Sequence, residues 1–300
     1  MQNFKIIFET IAGSHLYGTN LEGSDMDWRG IALEPKESLL GLHNFEQFEE
    51  DKIGATNGND RVIYGLRKFV TLALGQNPNI IELLFAPIGL NNLSYLGISP
   101  TTCNLEWMQL ILNQDWFLSR KVCETFIGYA VSQMKRMETH YRWMTTEPPE
   151  KPAPYYYGLR LSPDGAPKWA DEYNHNRYTN DLKHYTQYHT WLENRNPKRH
   201  DLEELYKYDT KNAMHLVRLL QEGEQLLKKG YLIFPLPNAK ELLDIRNGSM
   251  TYDEVIKYME TKRFELNEVR KTSMLPEEPR RDDVEKLVIQ LNSNYLRNNS

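Results

Sequence analysis

The sequence predicts an α+β protein in which a unit of mixed strands and helices precedes a mainly helical unit. Over residues 1–98, the first unit, short apolar segments rich in β-branched residues alternate with turns, which is typical of strands. Over residues 99–300, the second unit, apolar residues recur every three or four positions, the period of a helix with one buried face. With 40% hydrophobic and 26% charged residues, the chain has the composition of a globular protein.

The first unit begins with strands joined by turns. Residues 4–12, FKIIFETIA, are an apolar run that ends at Gly13, and residues 26–33, MDWRGIAL, alternate in polarity. Gly75 ends one predicted helix and Pro78 begins the next, because glycine favours helix ends and proline fits a first turn. The predicted strands are residues 4–12, 26–33, 44–50 and 62–64, with an Asn-Gly turn at 57–58 and a helix over 66–74.

The second unit is predicted to be helical apart from one insertion. The insertion, at about residues 147–175, is rich in proline and tyrosine, and its Pro163, Asp164 and Gly165 predict a hairpin turn. The chain contains no internal repeat and no low-complexity tract. The predicted helices are residues 104–113, 120–144, 181–195, 210–230, 251–269 and 281–296.

Composition limits where the protein works and what it binds. No apolar run approaches the roughly 20 residues that a bilayer requires, and the N-terminus does not resemble a signal peptide. Cys103 and Cys123 are too few for a disulfide framework or a cysteine zinc site. We therefore expect a cytoplasmic protein. A net charge of -5 argues against general nucleic-acid binding but allows a local basic groove.

Residues 12–31, AGSHLYGTNLEGSDMDWRGI, concentrate glycine, serine and aspartate, and two familiar loop types do not explain them. The glycine spacing matches a P-loop, but Thr19 stands where that loop requires its phosphate-binding lysine. An EF-hand loop starting at Asp25 would have Arg29 at its fifth position and Lys36, rather than glutamate, at its twelfth. Neither loop type fits the sequence.

Asp25 and Asp27 are better explained as a metal site. Side chains two residues apart in a strand point the same way, and neighbouring carboxylates in a cleft repel each other unless a cation or proton intervenes. Magnesium favours such oxygens, although an exposed strand with its acids in water is the alternative. Upstream, the backbone N–H groups and hydroxyl of Gly13 and Ser14 can hold phosphate oxygens. A phosphate site followed by two aspartates is the arrangement of two-metal phosphoryl or nucleotidyl transfer.

The stretch GSHLYGTNLEGSDMDWRGI resembles the active-site signature of the DNA polymerase β-type nucleotidyltransferase superfamily, in which Gly-Ser precedes Asp-x-Asp. It is more closely similar to predicted nucleotidyltransferases found beside RNA ligases in RNA-repair neighbourhoods (RlaP-like), a family that bacteriophages also carry. This similarity covers roughly residues 1–90 and 205–280. Three further stretches support it: DRVIYGLRKFVTLALGQNPNIIELLF, KNAMHLVRLLQEGEQLLKKGYL and SMLPEEP. The resemblance implies a polymerase β-type palm, a mixed sheet with helices, over residues 1–98. It also implies a helical domain over residues 99–300 that completes the cleft.

The resemblance also implies roles for individual residues. Gly13 and Ser14 would hold the β and γ phosphates of an incoming NTP such as ATP. Asp25 and Asp27 would bind two Mg²⁺ (or Mn²⁺) ions. Ser24 matches the family's serine before the first aspartate and is a candidate nucleotide contact, although a turn-stabilising hydroxyl explains it equally well.

A third metal-binding carboxylate, which is also a candidate general base for the attacking hydroxyl, should come from a later strand. Asp60 matches best because it leads DRVIY, the strand that precedes the first long helix. Glu46 and Glu49 are the rival candidates.

Lys211, His215 and Arg218 stand at i, i+4 and i+7 and share one helix face, with an apolar face opposite. A polar face of this kind is ordinarily solvated. If the helix lines the cleft, Lys211 and Arg218 would neutralise the phosphates, and His215 would join them or serve in packing.

Two further features have both structural and functional explanations. Glu82 lies among apolar residues, so we expect a structural ion pair with a cleft arginine such as Arg29. Residues 155–191 interleave tyrosine, tryptophan and histidine with basic residues, as in single-strand binding surfaces, but a tyrosine-rich helix bundle explains them as well.

The sequence therefore predicts a metal-dependent nucleotidyltransferase that moves NMP from an NTP to a hydroxyl and releases pyrophosphate. An RNA end is the expected acceptor. Transfer to a small molecule or a protein side chain is an alternative, as is a nucleotide-binding module without turnover. The sequence gives no indication of the oligomeric state.

Overall fold

The first layer of the fold is a five-stranded mixed sheet with the strand order β3-β4-β2-β1-β5. The structure is a computed structural model that describes residues 4–50, 60–88, 102–195 and 197–298. Its strands are β1 Lys5–Ala12, β2 Asp27–Leu33, β3 Gln47–Glu50, β4 Arg61–Gly65 and β5 Thr102–Cys103. Because β2 runs antiparallel to β1 and parallel to β4, the end of β1 lies beside the starts of β2 and β4. The sheet thus brings Gly13, Asp27 and Asp60 to one edge.

Four helices accompany these strands in the described part of the first unit: α1 Gly13–Tyr17, α2 Lys36–Leu40, α3 Leu66–Leu74 and α4 Pro78–Leu84. Helix α3 follows β4 directly and ends at Gly75, and α4 has its proline in the first turn. The predicted strands and both longer helices of this unit are confirmed. The predicted Asn-Gly turn at 57–58 lies outside the described residues.

Helices dominate the second unit. They are α5 Leu105–Ile111, α6 Val122–Thr145, α7 Glu172–Glu193, α8 Pro197–Tyr206, α9 Thr210–Lys229, α10 Ala239–Arg246, α11 Tyr252–Thr272 and α12 Arg281–Asn298. The insertion contains a short hairpin, β6 Arg160–Leu161 and β7 Pro167–Lys168, whose turn includes Gly165 at φ +83°. The predicted hairpin turn and the predicted α+β character are therefore confirmed.

Helix α9 is the central helix of the second unit and packs against α6, α10 and α11. The Asp209 carboxylate caps its start by accepting a hydrogen bond of 3.0 Å from the backbone N–H of Asn212. Gly230, at φ +74°, ends it. The predicted apolar face is confirmed, since Ala213, Leu216, Val217 and Leu220 are fully buried.

One apolar core joins the sheet to the helices. Phe8 of β1 stacks on Trp107 of α5 at 4.3 Å between ring centroids, and Phe69 of α3 meets the same indole edge-on. The sheet also takes β5 from beyond residue 98. The division into residues 1–98 and 99–300 remains a prediction.

Sequence reasoning missed the short helices α1 and α2, the helices α8 and α10, and strand β5. Strand β5 has two residues and pairs with a strand about a hundred positions earlier, so no local pattern indicates it. No described helix combines the length and apolar character needed to cross a bilayer.

Candidate active site

A cavity of about 730 Å³ lies between the edge of the sheet that carries Asp27 and the helices α4, α6, α9 and α10. Most of the predicted site residues line it. From the first unit come Gly13, Ser14, Tyr17, Leu21, Glu22, Gly23, Ser24, Asp25, Asp27 and Asn79. From the second unit come Gln133, Arg136, Lys211, Asn212, Met214, His215, Arg218 and Arg246.

Gly13 and Asp27 approach each other closely. Gly13 has φ +63°, in the left-handed region that favours glycine, and a Cβ there would lie 2.7 Å from Asp27 Oδ2. The sheet enforces this approach, because Ala12 faces Asp27 across the β1 and β2 pair. A glycine is therefore required where the backbone after β1 borders the Asp27 carboxylate.

Asp25 and Asp27 share the cavity but not one strand. Strand β2 begins at Asp27, so Asp25 belongs to the preceding loop, where its side chain is exposed. The two carboxylates meet the same space through this loop rather than through strand alternation. Ser24 lies in the same loop, and its Oγ accepts a hydrogen bond of 2.8 Å from the backbone N–H of Leu21. This bond is the turn-stabilising role considered for Ser24, although the residue also lines the cavity.

Asp60 directly precedes β4, the parallel neighbour of β2. Its carbonyl oxygen accepts a hydrogen bond of 2.7 Å from the Trp28 N–H, which places Asp60 level with Asp27 in the pairing of the two strands. The described residues lining the cavity do not include Asp60. Glu49 lies one strand farther out, on β3, and Glu46 forms an ion pair with Lys68 at 3.0 Å. Of the three candidates, Asp60 is the one next to the Asp27 strand.

The polar face of α9 lies on the cavity, since Lys211, His215 and Arg218 all line it. The three residues differ in exposure. Lys211 and His215 are half-buried, whereas Arg218 is only 5% exposed.

Arg218 belongs to a group that we call the buried charge cluster: Tyr17, Glu82, Arg218 and Glu222. Its guanidinium pairs with Glu82 and, at 2.8 Å, with Glu222, and its Cζ lies 4.2 Å from the centre of the Tyr17 ring. The Tyr17 hydroxyl donates a hydrogen bond of 2.6 Å to Glu82. The expected pairing of Glu82 with Arg29 is wrong, because Arg29 Nη1 donates instead to the carbonyl oxygens of Trp28 and Asp60.

Burial shifts the pKa of two members of this cluster. Burial raises the pKa of Glu222 well above that of an ordinary carboxyl group, against the opposing effect of Arg218. Burial also raises the pKa of Tyr17. Arg218 therefore contacts two buried carboxyl groups, and burial disfavours the charged form of Glu222.

Two arginines on the cavity wall were not predicted. Arg136 is an exposed residue of α6, and Arg246 is half-buried at the end of α10. Only the packing of α6 and α10 against α9 brings them to the cavity, and their local sequences carry no pattern that indicates this. With Lys211 they give the cavity three cationic side chains from three helices.

The tyrosine-rich segment is mostly occupied by its own contacts. Trp169 stacks on His175 at 4.7 Å and packs against Tyr178, and the Arg160 guanidinium lies 4.3 Å from the centre of the Tyr155 ring. Residues 147–195 contain six lysines and arginines against seven acidic residues. These rings and charges favour the packing explanation over a basic surface for single strands.

His140, Glu203 and Asp209 form a second cluster of metal-ligand type, with candidate ligand atoms within 4.8 Å of one another. Structural contacts already engage it. Glu203 pairs with Arg195 at 2.8 Å, Asp209 caps α9, and the His140 ring stacks on Trp143. The carboxylates of Asp25 and Asp27, by contrast, line the cavity described above.

The α+β fold, the glycine turn against an aspartate and the cationic helices around one cavity are the features of a polymerase β-type nucleotidyltransferase. Comparison with known families agrees with this class. The chain belongs to the RNA repair pathway DNA polymerase beta family (RlaP), whose sequence profile matches residues 1–290.

A relative from a bacteriophage is similar over part of the chain. A protein of Enterobacteria phage T4, described as an uncharacterized 38.9 kDa protein in the nrdC-mobD intergenic region, is 28% identical over 88 residues. That segment is 28% of this chain and spans about a quarter (26%) of the phage protein. No solved structure matches the chain.

Proposed function

We propose that the protein transfers a nucleoside monophosphate from an NTP to an acceptor hydroxyl and releases pyrophosphate. One observation carries the proposal: the backbone at Gly13 borders the Asp27 carboxylate on the wall of a cavity that is also lined by the cationic side chains of Arg136, Lys211 and Arg246. A phosphate-binding turn beside a metal-binding carboxylate is what nucleotidyl transfer requires.

The triphosphate is bound by backbone and cationic groups together. Gly13 and Ser14 contribute backbone N–H groups and a hydroxyl, while Lys211, Arg136 and Arg246 offset the phosphate charge. His215 and Ser24 complete the proposed nucleotide contacts. These groups orient the α phosphate toward the carboxylates and stabilise the leaving pyrophosphate.

Asp25 and Asp27, with Asp60 as third carboxylate, are the proposed ligands of Mg²⁺ or Mn²⁺. Their oxygens are of the type these cations prefer, and the bare Gly13 backbone leaves room beside Asp27 that a Cβ would fill. When bound, such cations supply positive charge to the phosphate oxygens during transfer.

In the proposed reaction the acceptor oxygen forms a bond to the α phosphorus, and the bond from that phosphorus to the β-bridging oxygen breaks. Pyrophosphate leaves with the electron pair of the broken bond. Asp60 accepts the proton of the attacking hydroxyl. This role requires Asp60 to lie close to Asp27, and the pairing of β4 with β2 places it directly before the neighbouring strand.

An RNA end is the proposed acceptor. The RNA-repair description of the family supports this choice. With a net charge of -5, the protein must hold RNA through a local basic patch rather than through its overall charge.

The test is incubation with each α-labelled NTP and Mg²⁺, with and without total RNA, followed by separation of RNA, protein and pyrophosphate. We expect label on RNA and release of pyrophosphate, both lost in Asp27→Asn. The matched control is Glu22→Gln, which alters another carboxylate on the cavity wall and should remain active. Label on the protein or on a small molecule would replace the RNA proposal, and absence of pyrophosphate under every condition would indicate a nucleotide-binding module.

A further inference from the structure

The buried charge cluster connects three elements that line the cavity. Tyr17 ends α1, the helix that begins with Gly13 and Ser14. Glu82 lies on α4, and Arg218 lies on α9, two turns beyond Lys211. The four residues of the cluster are between 2% and 5% exposed. None of their atoms takes part in the proposed transfer step.

The contacts in the cluster form a continuous path from α1 to α9. The Tyr17 hydroxyl donates to one Glu82 oxygen at 2.6 Å, and Arg218 Nη1 donates to the other. The same Nη1 donates to Glu222 at 2.8 Å, one turn farther along α9. The Tyr17 ring also lies under the guanidinium, so α1 contacts α9 both through Glu82 and directly.

These contacts leave Arg218 poorly suited to hold a phosphate. Its guanidinium already contacts two buried carboxyl groups, and a phosphate would have to displace one of them from a site where the arginine is only 5% exposed. Lys211, Arg136 and Arg246 line the same cavity and are more exposed. The phosphate charge is therefore assigned to those three side chains.

We propose that the buried charge cluster is a positioning device, in which Arg218 acts through Tyr17 and Glu82 to hold the Gly13 and Ser14 turn at a fixed distance from the cationic face of α9. This inference rests on the proposed function, since it concerns the two sides of the proposed triphosphate site. Arg218 is thus a positioning residue rather than a phosphate ligand.

The decisive variant is Tyr17→Phe, which keeps the ring and the buried charges and removes only the hydrogen bond to Glu82. Misplacing a phosphate-binding turn affects the transition state more than ground-state binding, so we expect kcat to fall about fivefold while the KM for NTP changes less than about twofold. Lys211→Met, which removes a proposed direct phosphate contact, should instead raise KM. Tyr157→Phe is the control, because it removes a comparable hydrogen bond, 2.7 Å to Asp181, away from the cavity.

The double variant tests whether Arg218 and Tyr17 act as one unit. If they do, Tyr17→Phe adds little to Arg218→Met, because the path is already broken. Additive losses, or a rise in KM for Arg218→Met comparable to that of Lys211→Met, would overturn the positioning role. Should Arg218→Met fail to fold, the kinetics of Tyr17→Phe decide the question alone, and an unchanged kcat would overturn it.

Amide hydrogen exchange separates failure of this inference from failure of the proposed function. In Tyr17→Phe the amides of residues 14–19 should exchange faster than in the wild type, while those of α11 should not change. This readout requires no catalysis, so it holds even if the wild type transfers no nucleotide. Active protein with unchanged exchange and unchanged kcat would contradict the positioning device and leave the proposed function intact.

Discussion

Replacing Gly13 by alanine tests the geometry on which the proposed site depends. The new Cβ would lie 2.7 Å from Asp27 Oδ2, whereas ordinary contacts begin at 3.4 Å, so the turn or the carboxylate must move by about 0.7 Å. A displacement near 1 Å in a catalytic group can cost about a hundredfold in rate, so we expect pyrophosphate release to fall by about 10- to 100-fold. The left-handed backbone adds about 1–2 kcal/mol of strain to the folded state.

The control for this strain is Gly165→Ala. Gly165 has φ +83° in the insertion hairpin, and its Cβ would meet nothing within 4 Å. Both variants should lose similar stability in urea unfolding, but only Gly13→Ala should lose nucleotidyl transfer to labelled RNA, measured under single-turnover conditions. Equal activities for the two variants would refute the argument that Gly13 is required by its contact with Asp27.

Three further outcomes are expected. Asp60→Asn should reduce kcat at least about a hundredfold, while Glu49→Gln, one strand farther from Asp27, should leave it within about twofold; the reverse order would exchange their roles. Lys211→Met should raise the KM for NTP about tenfold without lowering the free energy of unfolding. Lys240→Met, on an exposed part of α10, should change neither quantity, and equal KM values for the two variants would remove Lys211 from the phosphate site. Because burial raises the pKa of Glu222, the unfolding free energy of the wild type should fall as pH rises from about 5 toward that raised pKa. Glu222→Gln lacks this titration, so its unfolding free energy should rise relative to that of the wild type over the same range. Urea unfolding curves that change in parallel with pH would show that Glu222 is already charged.

Local sequence patterns were sufficient for the elements that carry the turn and the aspartates. Strands β1, β2 and β4 are short apolar runs with turn residues at their ends, and Gly75 and Pro78 mark the helix boundaries that follow. The polar face of α9 could also be predicted, because helical spacing alone places Lys211 and Arg218 together.

The choice of ion-pair partners could not be predicted in this way. Glu82 lies 136 positions from Arg218 and 53 from Arg29, and charge alone does not distinguish the two arginines. Burial decides between them, because Glu82 and Arg218 are both buried and in contact with each other, whereas Arg29 donates to backbone carbonyls. The same limit applies to Arg136 and Arg246, which reach the cavity only through the packing of whole helices.

The continuity of the core determines whether this mixed sheet can be reused by itself in evolution or in protein engineering. Strand β1 pairs with β5 from beyond residue 98, and the Leu236 N–H donates to the Tyr17 carbonyl at 3.1 Å. A fragment cut at residue 98 would expose Phe8 and Phe69, now covered by Trp107, and would leave Glu82 without its arginine. The backbone at Gly13 and the aspartates beside it therefore cannot be transferred to another scaffold by themselves. Such a graft would require the helices α5 and α9 as well.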